Sequence, residues 1–169
     1  MASAPVAGAG FEIRVAGPDD APTVWRIYNQ GIEDGLATFA REMCPLEVVE
    51  GWFASRRYPV LLAETRRQPV GWASLGPYRP GEVFATIAEM VVYVERSWRR
   101  HAVGQLLANA LIAEARARGL HKLVGYVLAH NLSSRKLVEK LGFRLVGMHE
   151  RHGRPQDGSP DVAVVEKLL

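Results

Sequence analysis

The sequence predicts a single domain of mixed α+β class, on three features of its patterning. Short apolar runs alternate at a period of two, amphipathic stretches at helical spacing lie between them, and their order is uneven: strand, two helices, three strands, then helix and strand in turn before a last pair of strands. Three strands joined by short turns make an antiparallel meander. Strand, helix, strand makes a parallel crossover, so the predicted sheet carries both senses of pairing.

The elements follow in order. Residues 1–10 are rich in Ala and Gly, with neither a basic start nor a long apolar segment, and are expected to be a disordered tail; the domain is expected over 11–169. Phe11–Val15 alternates as a strand, and Gly17-Pro18-Asp19-Asp20 is a turn and helix start. Ala21–Glu33 then places Val24, Ile27, Tyr28 and Ile32 on one helical face. A second helix is predicted over 45–56, with Pro at its start and Leu46, Val49, Trp52 and Phe53 along one side. Val60–Thr65 and 70–75 flank Arg66-Arg67-Gln68-Pro69 as a hairpin, and a long strand is predicted over 84–94. The helix predicted over 103–118 ends at Gly119 and precedes the strand Lys122–Leu128; a helix over 131–141 is closed by Gly142, and strands over 143–151 and 161–169 finish the chain.

Composition narrows the partners. The chain has 169 residues, 48% of them hydrophobic, enough to bury one core. One cysteine, Cys44, precludes an internal disulfide or a multi-cysteine metal cluster and suits the reducing cytoplasm. A net charge of +3, spread along the chain, suits a phosphorylated small molecule as well as nucleic acid, and no nucleic-acid motif is found. No apolar run reaches the roughly 20 residues that span a bilayer. His149 and His152 are expected on opposite strand faces and so are not read as a metal pair; no metal is expected. The four tryptophans, on separate elements, read as core or rim residues.

The segment from Tyr93 to Gln105 carries the most chemistry. It runs from an apolar strand through the basic turn Arg99-Arg100-His101 into a helix that begins with Ala102-Val103-Gly104-Gln105. Free N–H groups at a helix start, together with small residues, bind a diphosphate through main chain. The plain alternative is a strand–helix turn whose glycine eases packing. Just upstream, Glu89 is the one carboxylate of its strand, expected on the same face as Ile87 and Val91. It reads either as a general base with a raised pKa or as a structural carboxylate.

Taken with the order of elements, the residues Tyr93-Val94, Arg100-x-Ala102-x-Gly104, Asn131-x-x-Ser134 and Leu137-x-Glu139-x-Leu141-Gly142-Phe143 resemble the GNAT superfamily of acyl-CoA-dependent N-acetyltransferases. Within it, Ile27-Tyr28-Asn29, Ala37-Thr38-Phe39, Gly119-Leu120-His121 and Asp161-Val162 resemble the phosphinothricin and methionine sulfoximine acetyltransferase branch. The resemblance implies a central, mostly antiparallel sheet with a splayed parallel strand pair, flanked by about four helices. It implies acetyl-CoA as acetyl donor, a small-molecule amine such as an amino acid as acceptor, Glu89 as general base, and a homodimer. Val92, Tyr93 and Val94 would bond the pantetheine arm, and Arg100, His101, Ala102, Val103, Gly104 and Gln105 the pyrophosphate. Lys140 would lie near the nucleotide, its other use being solvation. Asn131 either touches the cofactor or simply caps its helix. Phe39 and Arg41, in the 39–42 loop, with Tyr78, Arg79, Glu82, Val83 and Phe84, would shape the amine pocket.

Four positions depart from the family pattern. Ala102 stands where Gly is usual, a costly exchange where φ is positive. Val138 stands where Tyr or His protonates the leaving thiolate. Gly81 and Phe84 replace an Arg and a Tyr that embrace acidic substrate groups, so either Arg41, Arg79 or Arg154 restores that charge or the amine is a different one. Two other functions stay open on these residues: a non-catalytic acyl-CoA sensor, and an acetyltransferase for protein or peptide amines.

Overall fold

A computed structural model describes residues 6–8, 10–35, 38, 40–55, 57–153 and 158–169. The strands are β1 (Val6–Gly8), β2 (Phe11–Val15), β3 (Val60–Thr65), β4 (Gln68–Pro77), β5 (Ile87–Val94), β6 (Lys122–Leu128), β7 (Arg144–His149) and β8 (Val162–Leu168). The α-helices are α1 (Ala21–Glu33), α2 (Leu46–Trp52), α3 (Val103–Ala117) and α4 (Leu132–Lys140). All eight strands form one sheet in the order β1-β2-β3-β4-β5-β6-β8-β7, antiparallel throughout except for β5 and β6.

That parallel pair organises the molecule. β5 and β6 share the register Ile87↔Lys122, Ala88↔Leu123 and Glu89↔Val124 and then part. β5 remains paired with β4 as far as Val94, and β6 with β8 as far as Leu128. The edges that face each other beyond Glu89 are therefore without a strand partner. Helices cover both faces. Val103, Leu107, Leu111 and Ala115 of α3 belong to a core with Ala88, Met90, Leu123 and Ala163, against which Leu137 and Val138 of α4 also pack. On the other face Val24 and Ile27 of α1 and Val49 of α2 pack on Leu62, Trp72 and Tyr93.

Several boundaries differ from the sequence expectation. Val6–Gly8, expected in a disordered tail, pairs antiparallel with β2. The second helix stops at Trp52, although Trp52 and Phe53 both still pack on the core. The strand expected from 84 begins at Ile87, because Glu82–Phe84 forms a 3-10 turn that follows Gly81 at φ 113°. β4 extends beyond 70–75, and its two-residue hairpin from β3 holds Arg66 and Arg67 at φ 48° and 64°, the left-handed values such a turn demands.

Candidate active site

Glu89 stands where β5 and β6 begin to part. Alternation along β5 sends Ala88 and Met90 into the α3 core and leaves Glu89, Val91 and Tyr93 on the α1–α2 face, as the sequence predicts for Glu89 and Val91. Those three side chains line a cavity of about 500 Å³. Three further rings join Tyr93 in the wall. Trp72 stacks on Tyr93 at 4.8 Å between centroids, Trp52 lies 5.5 Å from Trp72, and Tyr28 meets Tyr93 edge-on at 5.0 Å. Thr38, Ser55, Tyr58, Ser74, Tyr126 and Leu128 are among its other walls, and among the described residues lining the cavity none is Lys or Arg. Glu89 is the one carboxylate among its described walls, and burial raises its pKa above the ordinary value of 4.5.

A second cavity of about 380 Å³ lies beyond the parting strands, lined by Val92, Tyr93, Val94, Arg99, Arg100, Ala102, Val103, Gly104, Gln105 and Asn131, with Ile27 and Gly31 of α1 among the other walls. Its floor is the start of α3. Ala102 accepts from the N–H groups of Gln105 and Leu106 at 3.0 and 3.1 Å, whereas those of Val103 and Gly104 find no acceptor among the described residues. A methyl group on Gly104 would meet Leu137 and Val94 at 3.5 Å, an ordinary contact, and Val92 at 3.9 Å, all of them groove-lining residues. Packing alone therefore does not require glycine at 104, and an added methyl group would stand among the groove walls. Ala102 is left-handed at φ 61° and Arg100 at φ 67°, so the costly case for alanine is the one realised, at about 1–2 kcal/mol.

The turn that carries these residues is pinned to α1. Arg99 pairs with Asp34 at 2.6 Å and Arg96 with Asp34 at 2.8 Å, while the Arg96 N–H donates to Gln30 Oε1 at 3.1 Å. The hydrogen bond from Arg96, then that from Arg99, holds the Asp34 carboxyl below its ordinary pKa. A third, smaller cavity of about 90 Å³ fills the gap between β5 and β6. It shares Val91, Tyr93, Tyr126 and Leu128 with the first cavity and Val92, Tyr93, Asn131, Ser134 and Leu137 with the second. The gap thus shares walls with both the groove and the cavity that holds Glu89.

Most residues singled out in the sequence are brought together. Val92, Tyr93, Val94, Arg100, Ala102, Val103, Gly104, Gln105 and Asn131 all line the groove. Asn131 also caps α4, its Oδ1 accepting from the Ser134 N–H at 3.0 Å. His101 is exposed beside Trp98, and Lys140 is exposed at the end of α4; neither lines the groove. Tyr78, Arg79, Glu82, Val83 and Phe84 do not line the amine-side cavity. Tyr78 packs edge-on against Phe84, carries Arg79 over its ring at 5.1 Å, and reaches the cavity wall through Tyr126. Arg41 lies near Gly158. Phe39 and Arg154 fall outside the described residues. His149 and His152 stack at 4.6 Å instead of facing opposite ways, because β7 ends at His149 and Arg151 turns left-handed; no third ligand joins them among the described residues.

Sequence reasoning missed Tyr28, Trp52, Trp72 and Tyr126 as cavity walls. The tryptophans, separate in sequence, converge in space. Tyr28 stood inside a quoted family motif, the one signal that pointed to it.

An unpaired strand edge, a helix start with free amides and a carboxylate at the head of the gap define an acyl-CoA-dependent acyltransferase. The profile of the GNAT acetyltransferase family matches residues 24–143, and the chain belongs to that family. An L-methionine sulfoximine/L-methionine sulfone acetyltransferase of Pseudomonas aeruginosa is 35% identical over 84% of this chain and 85% of its own. A phosphinothricin N-acetyltransferase of Streptomyces coelicolor is 28% identical over 95% and 98%. Among solved structures, an acetyltransferase from Salmonella typhimurium with its cofactor acetyl-CoA superposes with a TM-score of 0.88 at 27% identity, over 95% of this chain and 94% of the other. A ribosomal-protein-alanine N-acetyltransferase from Brucella melitensis gives 0.87 at 36% identity, over 93% and 99%. Acetyl-CoA is the acetyl donor, and no described helix is long and apolar enough to cross a membrane.

Proposed function

We propose that this acetyltransferase acetylates the primary amine of an amino acid or amino-acid analogue with a neutral side chain, with Glu89 as general base. The observation that carries this is the place of Glu89: the only carboxylate among the described residues of an aromatic cavity, where β5 and β6 begin to part. Acetyl-CoA supplies an acetyl group activated as a thioester. An alkylammonium has a pKa near 10, so a proton must leave before the nitrogen can attack. Burial brings the carboxyl pKa upward toward that of its partner, which makes Glu89 a better base than a solvated glutamate. A main-chain N–H of Val91 or Val92 on the open edge of β5 serves the oxyanion. Val92 to Val94 hold the pantetheine arm, Arg100 with Ala102 to Gln105 the pyrophosphate, and Asn131 adds a polar edge where groove and gap meet.

The names of the relatives support an amino-acid-like acceptor, and the cavity has the size of a small-molecule site. Its lack of a described cation favours sulfoximine or sulfone side chains over the anionic phosphinate of phosphinothricin. The name of the Brucella structure is the reason to test peptide amines too. The experiment is amine-dependent thiol release across a panel of methionine sulfoximine, methionine sulfone, phosphinothricin and an alanyl peptide, repeated with Glu89→Gln. The expected result is turnover with the neutral analogues and a loss of about 100-fold or more in Glu89→Gln. Acetyl-CoA affinity should be retained. Unchanged turnover in the variant removes Glu89 from the role.

A further inference from the structure

Breaking the thioester leaves a negative charge on sulfur, and Val138, which lines the gap from α4 where the family resemblance implies a proton donor, has no proton to give. Building on the proposed transfer at Glu89, we propose that Tyr126 donates its hydroxyl proton to the departing sulfur. Tyr126 lies two residues beyond the last β5–β6 pair, Glu89↔Val124, and so projects on the same sheet face as Val124, beside Glu89. It lines both the amine-side cavity and the gap cavity.

Among the described residues only one other side chain with an O–H or N–H lines both, Tyr93, and it is committed elsewhere. Its ring is buried against Trp72 and its hydroxyl is engaged with Thr38 and Tyr28. Asn131 and Ser134 line the gap where it joins the groove and do not line the cavity that holds Glu89. Tyr126 is half-buried; the ionisable groups near it are Tyr78, Glu89 and Arg79. Burial first, then the neighbouring Tyr78 and Glu89, keep the hydroxyl protonated above the ordinary tyrosine range.

The step balances. Glu89 takes one proton from the ammonium, the nitrogen lone pair forms the C–N bond, and the C–S electron pair leaves with sulfur as the carbonyl re-forms. Tyr126 gives its proton to that sulfur. The second proton of the attacking nitrogen restores the tyrosine by way of water, and Glu89 releases its own to solvent. The sum is ammonium plus thioester going to amide, thiol and one proton.

Tyr126→Phe tests it with two readouts. In the first, turnover with acetyl-CoA is compared with turnover of 4-nitrophenyl thioacetate, whose thiolate leaves without needing a proton. The expected loss is about 100-fold with acetyl-CoA and less than threefold with the aryl thioester. An equal loss with both donors, or none with acetyl-CoA, overturns the proposal. The second readout needs neither amine nor turnover: the apparent pKa of the thiol in bound CoA, followed by thiolate absorbance. A donor at the sulfur lowers that pKa, so the substitution must raise it; an unchanged value also overturns the proposal. Failure of the amine panel, by contrast, strikes the acceptor assignment and leaves this second readout standing.

Discussion

The two larger cavities are built from different materials. The groove at the start of α3 is made of main chain: free amides at Val103 and Gly104, a left-handed Ala102, and the open edge of β5. The cavity at Glu89 is made of side chains drawn from α1, α2, β4, β5 and β6, chiefly rings. Backbone recognition fixes one ligand chemistry and leaves a short, contiguous trace in the sequence. A wall of side chains can change its acceptor by single substitutions, and its trace is scattered. The family therefore follows from the groove, while the amine must be found by assay.

The strongest way to break the contrast is at Glu89, where the loss of about 100-fold or more in Glu89→Gln should fall on turnover alone. The pH profile sharpens it. With the pKa raised by burial, the active carboxylate is lost as pH falls through a value above 4.5, so the acid limb of kcat should lie higher than for a solvated glutamate. The stability sign is opposite. The raised pKa stabilises the fold while the group is protonated, and that contribution is lost as pH rises through the folded pKa. At neutral pH Glu89→Gln should therefore raise the thermal midpoint while abolishing most activity.

Gly104→Ala tests the main-chain side. Its methyl group fits the protein at 3.5 Å and gains helix propensity of up to about 1 kcal/mol, so the fold should be as stable or more so. Acetyl-CoA affinity, read by calorimetry, should fall about tenfold, a loss of about 1.4 kcal/mol. Unchanged affinity would mean that 104 is only a packing position. Ala102→Gly should act the other way: relief of left-handed strain by about 1 kcal/mol, seen in denaturant midpoint, with affinity kept or slightly improved.

The smallest effect is expected at Asp34, which touches neither ligand region directly but pins Arg99 and Arg96. Asp34→Asn should weaken acetyl-CoA binding about threefold at low salt and less at high salt, with kcat unchanged. Its lowered pKa implies stabilisation present above the unfolded pKa and lost as pH falls through the folded one.

Much of the fold was legible because strand and helix periods are local. Phe11–Val15, Ala21–Glu33, Val60–Thr65 and Lys122–Leu128 coincide with the predicted spans. Boundaries slipped where apolar residues serve outside regular structure: Val83 and Phe84 extend a strand-like pattern into a 3-10 turn, and Phe53 continues an apolar side past the end of α2. In the site, Glu89 and the α3 start were readable because one charged residue interrupts an apolar strand and small residues mark close approach. Tyr126 was not, because in an apolar strand a tyrosine looks like core. Only the parting of β5 from β6 gives it two cavities to face, and that parting depends on register between segments more than thirty residues apart in the chain.

The brief seam of three residue pairs has a mechanical consequence. It makes the sheet two leaves, β1 to β5 and β6 to β7, joined at one end by a hinge of backbone hydrogen bonds. A pantetheine arm seated between the leaves, as proposed above, would act as a rivet, so occupancy should tie their unfolding together. At a cofactor concentration one hundred times its Kd the gain would be about 2.7 kcal/mol, resistance to heat borrowed by the molecule from its own substrate.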